Sequence, residues 1–386
     1  MQGLIGPLKE LAEFEELCKN KKKDVGMIRV CGCVNSQKSH MMYALGDGCK
    51  YKVIACSSET KAKQIYEEYR FLDSNTYLYP AKDFLFYQAD IRSKELVKQR
   101  MEGIQAVLSG EPVTVVTSLD GFMDHLAPKE SIAEKVLKVQ NDSVLKLDEM
   151  AEKLSVIGYD REVQVEGPGQ FAVRGGILDI YPLTEELPVR IELWGDEVDS
   201  IRTFDVESQR SIENLMDIVI YPAVEFPQNG EKGVSFLDYF PPEDTILFLD
   251  EPVRLVERGQ NIEDEFMEAQ KKRLESGYDL EEEEAKIFPV TEILKKINCY
   301  SSIGFYALGM KCKGLEVRES YEIQAKSVNP YNNSFEMLTQ DLKRLKRNGY
   351  RVILLSGSRT RAKRLAEDLR DYNLSSYYSE DLDREV

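Results

Sequence analysis

The chain has 386 residues, 42% of them hydrophobic, enough for real cores and, by length, for about two to four domains. Its 51 basic and 68 acidic residues give a formal net charge of −17, so its surface repels phosphate on average and a whole-chain grip on duplex DNA is disfavoured. No apolar signal-like stretch follows Met1 and no long apolar run occurs; secretion and membrane spanning are not expected, and the chain is placed in the cytoplasm.

Residues 1–20 read as an amphipathic helix through Leu8, Leu11, Phe14 and Leu17, followed by the basic run Lys21 to Lys23. From there strands and helices alternate. IRVCGC (28–33) and YKVIAC (51–56) are apolar strands, and a helix is expected over 58–72. TYLYP (76–80) precedes a helix over 92–109, which Gly110 closes as a C-cap. VTVVT (113–117) is a further buried strand. Buried strands alternating with helices imply an α/β layer with a parallel sheet.

The pattern changes after Pro128. Strand-like VLKV (136–139) and a helix over 147–157 lead into a β-rich region, 169–221, with turn signals at Gly175-Gly176, Glu185-Glu186 and Gly195-Asp196. This is a small α+β module. Patterning like that of the first part resumes at 232–250, where TILFLDEP (245–252) reads as a buried parallel strand ending in carboxylates. A charged helix is expected over 253–286, its acidic run Glu281 to Glu284 forming a solvated face. A module that interrupts an α/β domain, which then resumes, is an inserted domain. Polar SVNPYNNS (327–334) marks a boundary. Beyond it a helix through Leu338, Leu342 and Leu345, a strand RVILL (351–355) and a helix through Leu365 and Leu369 begin a further α/β domain. It stops at Val386 after roughly 50 residues, too few to close a sheet; the chain is expected to be a fragment of a longer protein.

Cys18, Cys31, Cys33, Cys49, Cys56, Cys299 and Cys312 form no CxxC pair, and an odd, scattered set argues for a reducing compartment. Cys31-x-Cys33 has no matching second half and only His40 and His125 offer imidazoles, so no structural metal is expected.

Two constellations could carry chemistry. Gly32-Cys-Val-Asn-Ser-Gln37-Lys38-Ser39 has the spacing of a phosphate-binding loop, with Gln37 where the second glycine belongs. That glycine lets backbone N–H groups wrap phosphates without a Cβ in the way, so Gln37 should crowd the phosphate or close the loop. Asp250-Glu251 sits where a Walker-B acid pair would hold Mg²⁺. Together they describe a nucleotide-binding fold whose site has decayed. The second constellation lies in Gly169 to Arg210. In VRIELW, Val189, Ile191 and Leu193 point one way, and Arg190, Glu192 and Trp194 the other. The chain's one tryptophan beside an arginine on the polar face of a strand has the composition of a protein-binding hot spot. It could equally be a Trp packed under a neighbouring domain or loop. Lys343, Arg344, Lys346, Arg347, Arg351, Arg359, Arg361, Lys363 and Arg364 form a basic cluster that could meet nucleic acid, or line two solvated helix faces.

FAVRGGILDIYP and ELPVRIELWGDEVDSIRTFDVESQRS resemble the second domain of bacterial transcription-repair coupling factors, a module shared with the excision-repair protein UvrB. YPAKDFLFYQADIRSKELVKQRMEGIQAVLSG (79–110), VTVVTSLDGFMDHLAP and LFLDEP are similar to the flanking segments of both families. UvrB keeps an intact G-x4-G-K-T loop; the coupling factors carry a degenerate one, as this chain does at Gln37. The resemblance covers roughly 5–325, and 334–386 resembles the start of the coupling factors' next domain. It implies a RecA-like parallel-sheet domain (1–128 and 216–326), an inserted UvrA-binding α+β domain like UvrB domain 2 (129–215), and the start of a further α/β domain (334–386). It implies that UvrA is the partner and that Arg174, Arg190 and Trp194 contact it. RNA polymerase and duplex DNA would be partners of the full-length protein, whose ATP- and Mg-dependent translocase lies beyond Val386. For this chain neither cofactor nor catalysis is expected. The alternatives are an ATP-binding, UvrB-like helicase-type repair subunit and a DNA-binding module using the basic cluster.

Overall fold

Short apolar strands separated by helices can bury both faces only as a parallel sheet with helices on each side. The computed structural model describes residues 2–21, 24–82, 94–227, 230–277, 287–307, 309–310 and 312–381. Helices α1 (Gln2–Ile5) and α2 (Ala12–Asn20) precede β1 (Gly26–Cys31). Then come α3 (Asn35–Leu45), β2 (Tyr51–Cys56), α4 (Glu59–Arg70), β3 (Thr76–Tyr79), α5 (Lys94–Leu108) and β4 (Val113–Ser118). Two short helices, α6 (Asp120–Met123) and α7 (Lys129–Glu134), lead into the insert.

The insert runs through β5 (Leu137–Gln140), α8 (Leu147–Val156), β6 (Asp160–Arg161), β7 (Gln170–Arg174), β8 (Ile177–Tyr181), β9 (Val189–Trp194), β10 (Glu197–Phe204), β11 (Ser211–Leu215) and β12 (Asp217–Ile220). The first layer resumes with β13 (Thr245–Asp250), α9 (Pro252–Glu275), α10 (Val290–Ile297), β14 (Ser301–Tyr306) and β15 (Val317–Glu322). Two helices follow, α11 (Phe335–Arg347) and α12 (Arg359–Asp371).

The large sheet has the order β15-β1-β14-β13-β2-β4-β3, with every pair parallel. Alternate residues feed two cores. Val53, Ala55, Leu247 and Leu249 pack with Met101 and Ile104 of α5 and Leu255 of α9. Ile54, Cys56, Ile246 and Phe248 pack on the opposite face with Met41 of α3 and Ile65 of α4. This is the expected α/β layer of RecA-like design. In the insert, β11-β10-β9-β8-β7-β6 form a second sheet, antiparallel except between β6 and β7. One face packs Leu178, Ile180, Val189, Ile191, Val198 and Ile201 with Met150 and Leu154 of α8. β12 pairs antiparallel with β5, so the strands that enter and leave the insert lie side by side.

Several expectations change. RVILL (351–355) forms no ladder among the described residues, and Val352 to Leu355 stand exposed. An apolar run supplies strand propensity, but a strand needs a neighbour to receive its N–H and C=O groups. The helical patterning expected after 232 yields two 3-10 turns, Phe236–Tyr239 and Pro242–Asp244; Pro241-Pro242 cannot propagate a helix. Strands β14 and β15 were not anticipated. Helix α9 is described only to Glu275, and the acidic run 281–284 lies outside the described residues. So do Lys22 and Lys23, and 83–93 within the stretch 79–110.

Candidate functional site

Helix α3 begins at Asn35, two residues before Gln37, so the segment that should be a phosphate loop is mostly helix. The amides of Gln37 and Lys38 both donate to the Val34 carbonyl, at 2.9 and 3.2 Å. Backbone N–H groups that would cradle a phosphate are therefore bound within the chain. The side chains are diverted too. Lys38 is buried, with 2% exposure, and its ammonium donates to Asp250 Oδ1 and Glu251 Oε1, both at 2.7 Å. Ser39 Oγ donates to Glu68 Oε2 on α4 at 2.8 Å. Burial pulls the Lys38 pKa down, but the two carboxylates outweigh it and hold the value above the usual lysine range.

The two carboxylates have further roles. Asp250 ends β13 in full burial. Glu251 caps the start of α9 in a left-handed backbone (φ 55°) and accepts from the Ala307 amide at 3.0 Å. At the other end of the motif, Gly32 (φ 85°) lies against the backbone of Ile323: a Cβ there would stand 2.0 Å from the Ile323 carbonyl oxygen. Gly32 is required by the chain that packs against it. The Gln37 side-chain oxygen is buried without a partner. As arranged, these residues do not fit the phosphates and Mg²⁺ of a nucleotide.

The second constellation is built on the other face of the six-stranded sheet. Period-2 alternation sets Arg174, Asp179, Arg190, Glu192, Trp194 and Arg202 opposite the α8 core. The register places Asp179 directly across from Arg190, and Arg190 across from Arg202. A carboxylate at 1% exposure must be paired, and Asp179 is paired twice. Arg190 grips it with both prongs, Nε to Oδ1 at 2.7 Å and Nη2 to Oδ2 at 2.9 Å. Arg174 Nη2 donates to the same Oδ2 at 2.6 Å. Arg202 forms an ion pair with Glu192 two rows along. The Arg190 guanidinium also lies over the Phe204 ring, 4.4 Å from its centroid, and its hydrogen bond to Asp179 raises its pKa further.

Trp194, at the end of β9, is 85% exposed. The turn after Arg174 abuts it, since the Leu193 amide donates to the Gly176 carbonyl at 2.8 Å. Of the two readings of Trp194, packing beneath another part of the described chain is excluded. Arg174, with 44% of its side chain exposed, and Trp194 thus share one open edge of the face. Arg190 lies deeper, with 14% of its side chain exposed. Asp179 and Gln209, which accepts from Arg190 Nη2 at 2.8 Å, were not singled out from the sequence. The signal for Asp179 was present: a carboxylate inside the apolar run ILDIY demands a counter-charge.

The basic cluster of α11 and α12 is partly neutralised within the chain. Arg344 pairs with Asp341, Arg351 with Glu10, Arg359 and Lys363 with Glu380, and Arg364 with Asp368. All seven cysteines are free thiols. Among the described residues no helix is long and apolar enough to cross a membrane.

Fold and face together define a RecA-like parallel α/β layer that carries an inserted, mostly antiparallel sheet. Residues 137–226, from β5 to just past β12, match the family model of the UvrB interaction domain. Over 96% of its length the chain is 25% identical to the transcription-repair-coupling factor of Bacillus subtilis, covering 36% of that protein. Identity to the same factor of Staphylococcus epidermidis (strain RP62A) is 38% over 154 residues, 40% of this chain and 13% of that protein. For Haemophilus influenzae it is 31% over 159 residues, 41% of this chain and 14% of that protein. The resemblance read from 169–210 is borne out. The chain spans about a third of the length of the Bacillus relative.

Proposed function

We propose that this chain recruits UvrA in transcription-coupled repair, using the face of the inserted sheet that bears Arg174, Arg190 and Trp194. The observation that carries this reading is Trp194: a large aromatic, 85% exposed, flanked by arginines already ordered on Asp179. Aromatic and arginine anchors dominate protein interfaces because they bury large area at low entropic cost. In the longer protein this recruitment would follow encounter with RNA polymerase on duplex DNA, driven by an ATP- and Mg-dependent translocase elsewhere in the sequence. The chain itself would work in the cytoplasm as a binding module with neither cofactor nor catalytic residues. Lys38, Ser39, Asp250 and Glu251 would serve the fold.

Titration of the chain with UvrA tests this. Trp194→Ala is expected to weaken binding by ~2 kcal/mol or more and Arg174→Ala by ~1–3 kcal/mol, with unfolding curves unchanged. Unaltered affinity in the double variant sinks the reading. The ATP-binding alternative predicts heat on calorimetric titration with ATP and Mg²⁺; the internal engagement of Lys38 favours none. The DNA-binding alternative predicts steeply salt-dependent binding to duplex, against which stands the net charge of −17.

A further inference from the structure

Arg190 has five N–H donors, and three of them are spent inside the chain. Nε and one N–H of Nη2 go to Asp179, and the other N–H of Nη2 goes to Gln209 Oε1. Phe204, buried, closes one face of the guanidinium. Only the two N–H groups of Nη1 remain. Arg174 spends a single N–H, on Asp179, and is more exposed.

Gln209 is the unusual part of this arrangement. Its backbone has φ 58°, a region that residues other than glycine adopt rarely. The turn that holds it is heavily tied. Asp205 Oδ1 accepts from the Ser208 amide at 2.8 Å and from its hydroxyl at 2.6 Å. The Gln209 amide donates to the Asp205 carbonyl at 2.8 Å. Gln209 Nε2 donates to the Val206 carbonyl at 2.8 Å, which fixes the side-chain amide so that its oxygen faces Arg190. A glycine would relieve the backbone but could not reach the guanidinium. A residue strained at a place where its side chain is used points to a function for that side chain.

We infer that Asp179 and Gln209 are positioning residues that lock Arg190, and that the two arginines divide the work of recognition. Arg190 presents one fixed nitrogen, Nη1, to a single oxygen on the partner. Arg174, with only one Nη2 N–H spent, keeps four donors and one two-donor fork that includes the second Nη2 N–H, and can take a carboxylate with two parallel bonds. This rests on the partner-binding reading above and adds to it a residue, Gln209, that need not touch the partner at all.

The test uses the whole chain and UvrA. Gln209→Gly is expected to melt no lower than wild type, because the backbone suits glycine, yet to bind UvrA about three- to tenfold more weakly. Gln209→Glu, which keeps an acceptor oxygen for Arg190 but loses the donation to Val206, is expected to bind between Gln209→Gly and wild type. Adding Gln209→Gly to Arg190→Ala should cost nothing further, because the residue it positions is gone. Wild-type binding by Gln209→Gly, or the same loss on the Arg190→Ala background, overturns the inference while leaving the recruitment reading intact. If Arg174→Ala and Trp194→Ala also bind as wild type, the recruitment reading falls instead. A measurement on the chain alone separates the two failures. Exchange of the Arg190 Nε proton, followed by NMR, should be slow in wild type and faster in Asp179→Asn. Equal rates would show that Arg190 is not held.

Discussion

A buried ammonium needs counter-charges within hydrogen-bond reach, and Lys38 has two. The Lys38 pKa is raised in the folded chain above its ordinary value of 10.5. The ion pair therefore contributes its full stability below that value and loses it as pH climbs through the folded pKa. Lys38→Met would strand Asp250 and Glu251 and is expected to cost about 3–5 kcal/mol in urea unfolding. A nucleotide-binding lysine in an open loop would show neither effect. The sequence made Gln37 visible as a fault in the motif. It could not reveal how the fault is resolved, because Asp250 and Glu68 come to Lys38 and Ser39 only through the fold. Asp179 was legible in kind, as a charge in an apolar run; Gln209 was not, because nothing in FDVESQR marks which turn residue takes a positive φ.

Among the elements, the strands that alternate cleanly with helices were legible almost to the residue: β2 runs Tyr51–Cys56, and β4 runs Val113–Ser118. β14 was not, because SSIGFY carries two serines and a glycine and lacks a run of β-branched residues. β15, VRESYE, is a polar edge strand, and edges owe their pairing to the neighbour. Helix α5 hides a further surprise. Arg100, not singled out from the sequence, is 0% exposed. In the fold it donates to Glu225 through Nε at 2.7 Å, to Asp124 through Nη2 at 2.7 Å and to the Pro80 carbonyl at 2.7 Å. Lys82 joins the same carboxylates. Burial pushes the Glu225 carboxyl up, but Arg100 and then Lys82 outweigh it and hold it down at about 2. A depressed carboxyl pKa gives stability that is present above the ordinary value of 4.5 and is lost as pH falls toward about 2. Glu225→Gln should cost about 3 kcal/mol near neutrality. It should also flatten the fall of the urea midpoint across that acid window.

For the molecule as a whole, three cores matter: one on each face of the parallel sheet and a third inside the insert. The apolar row Val352 to Leu355 has no comparable burial. Exposed, unpaired apolar segments of this kind invite association between copies. Ile353→Lys with Leu355→Lys is expected to reduce self-association in sedimentation runs without changing the proposed binding of UvrA. Association unaffected by both substitutions would place the sticky surface elsewhere.

The pairing of β5 with β12 is backed at its base by the Ala127 amide, which donates to the Glu225 carbonyl at 2.8 Å. The chain therefore leaves the large sheet and returns to it at one point. Such a module is a cassette: a short glycine bridge from 128 to 224 should excise it and leave the parallel layer folded by circular dichroism. On the recruitment proposed above, the excised residues, 129–223, transplanted into an exposed loop of an unrelated carrier, should bring UvrA with them. A module joined at one socket can be altered or exchanged without redesigning the chassis beneath it.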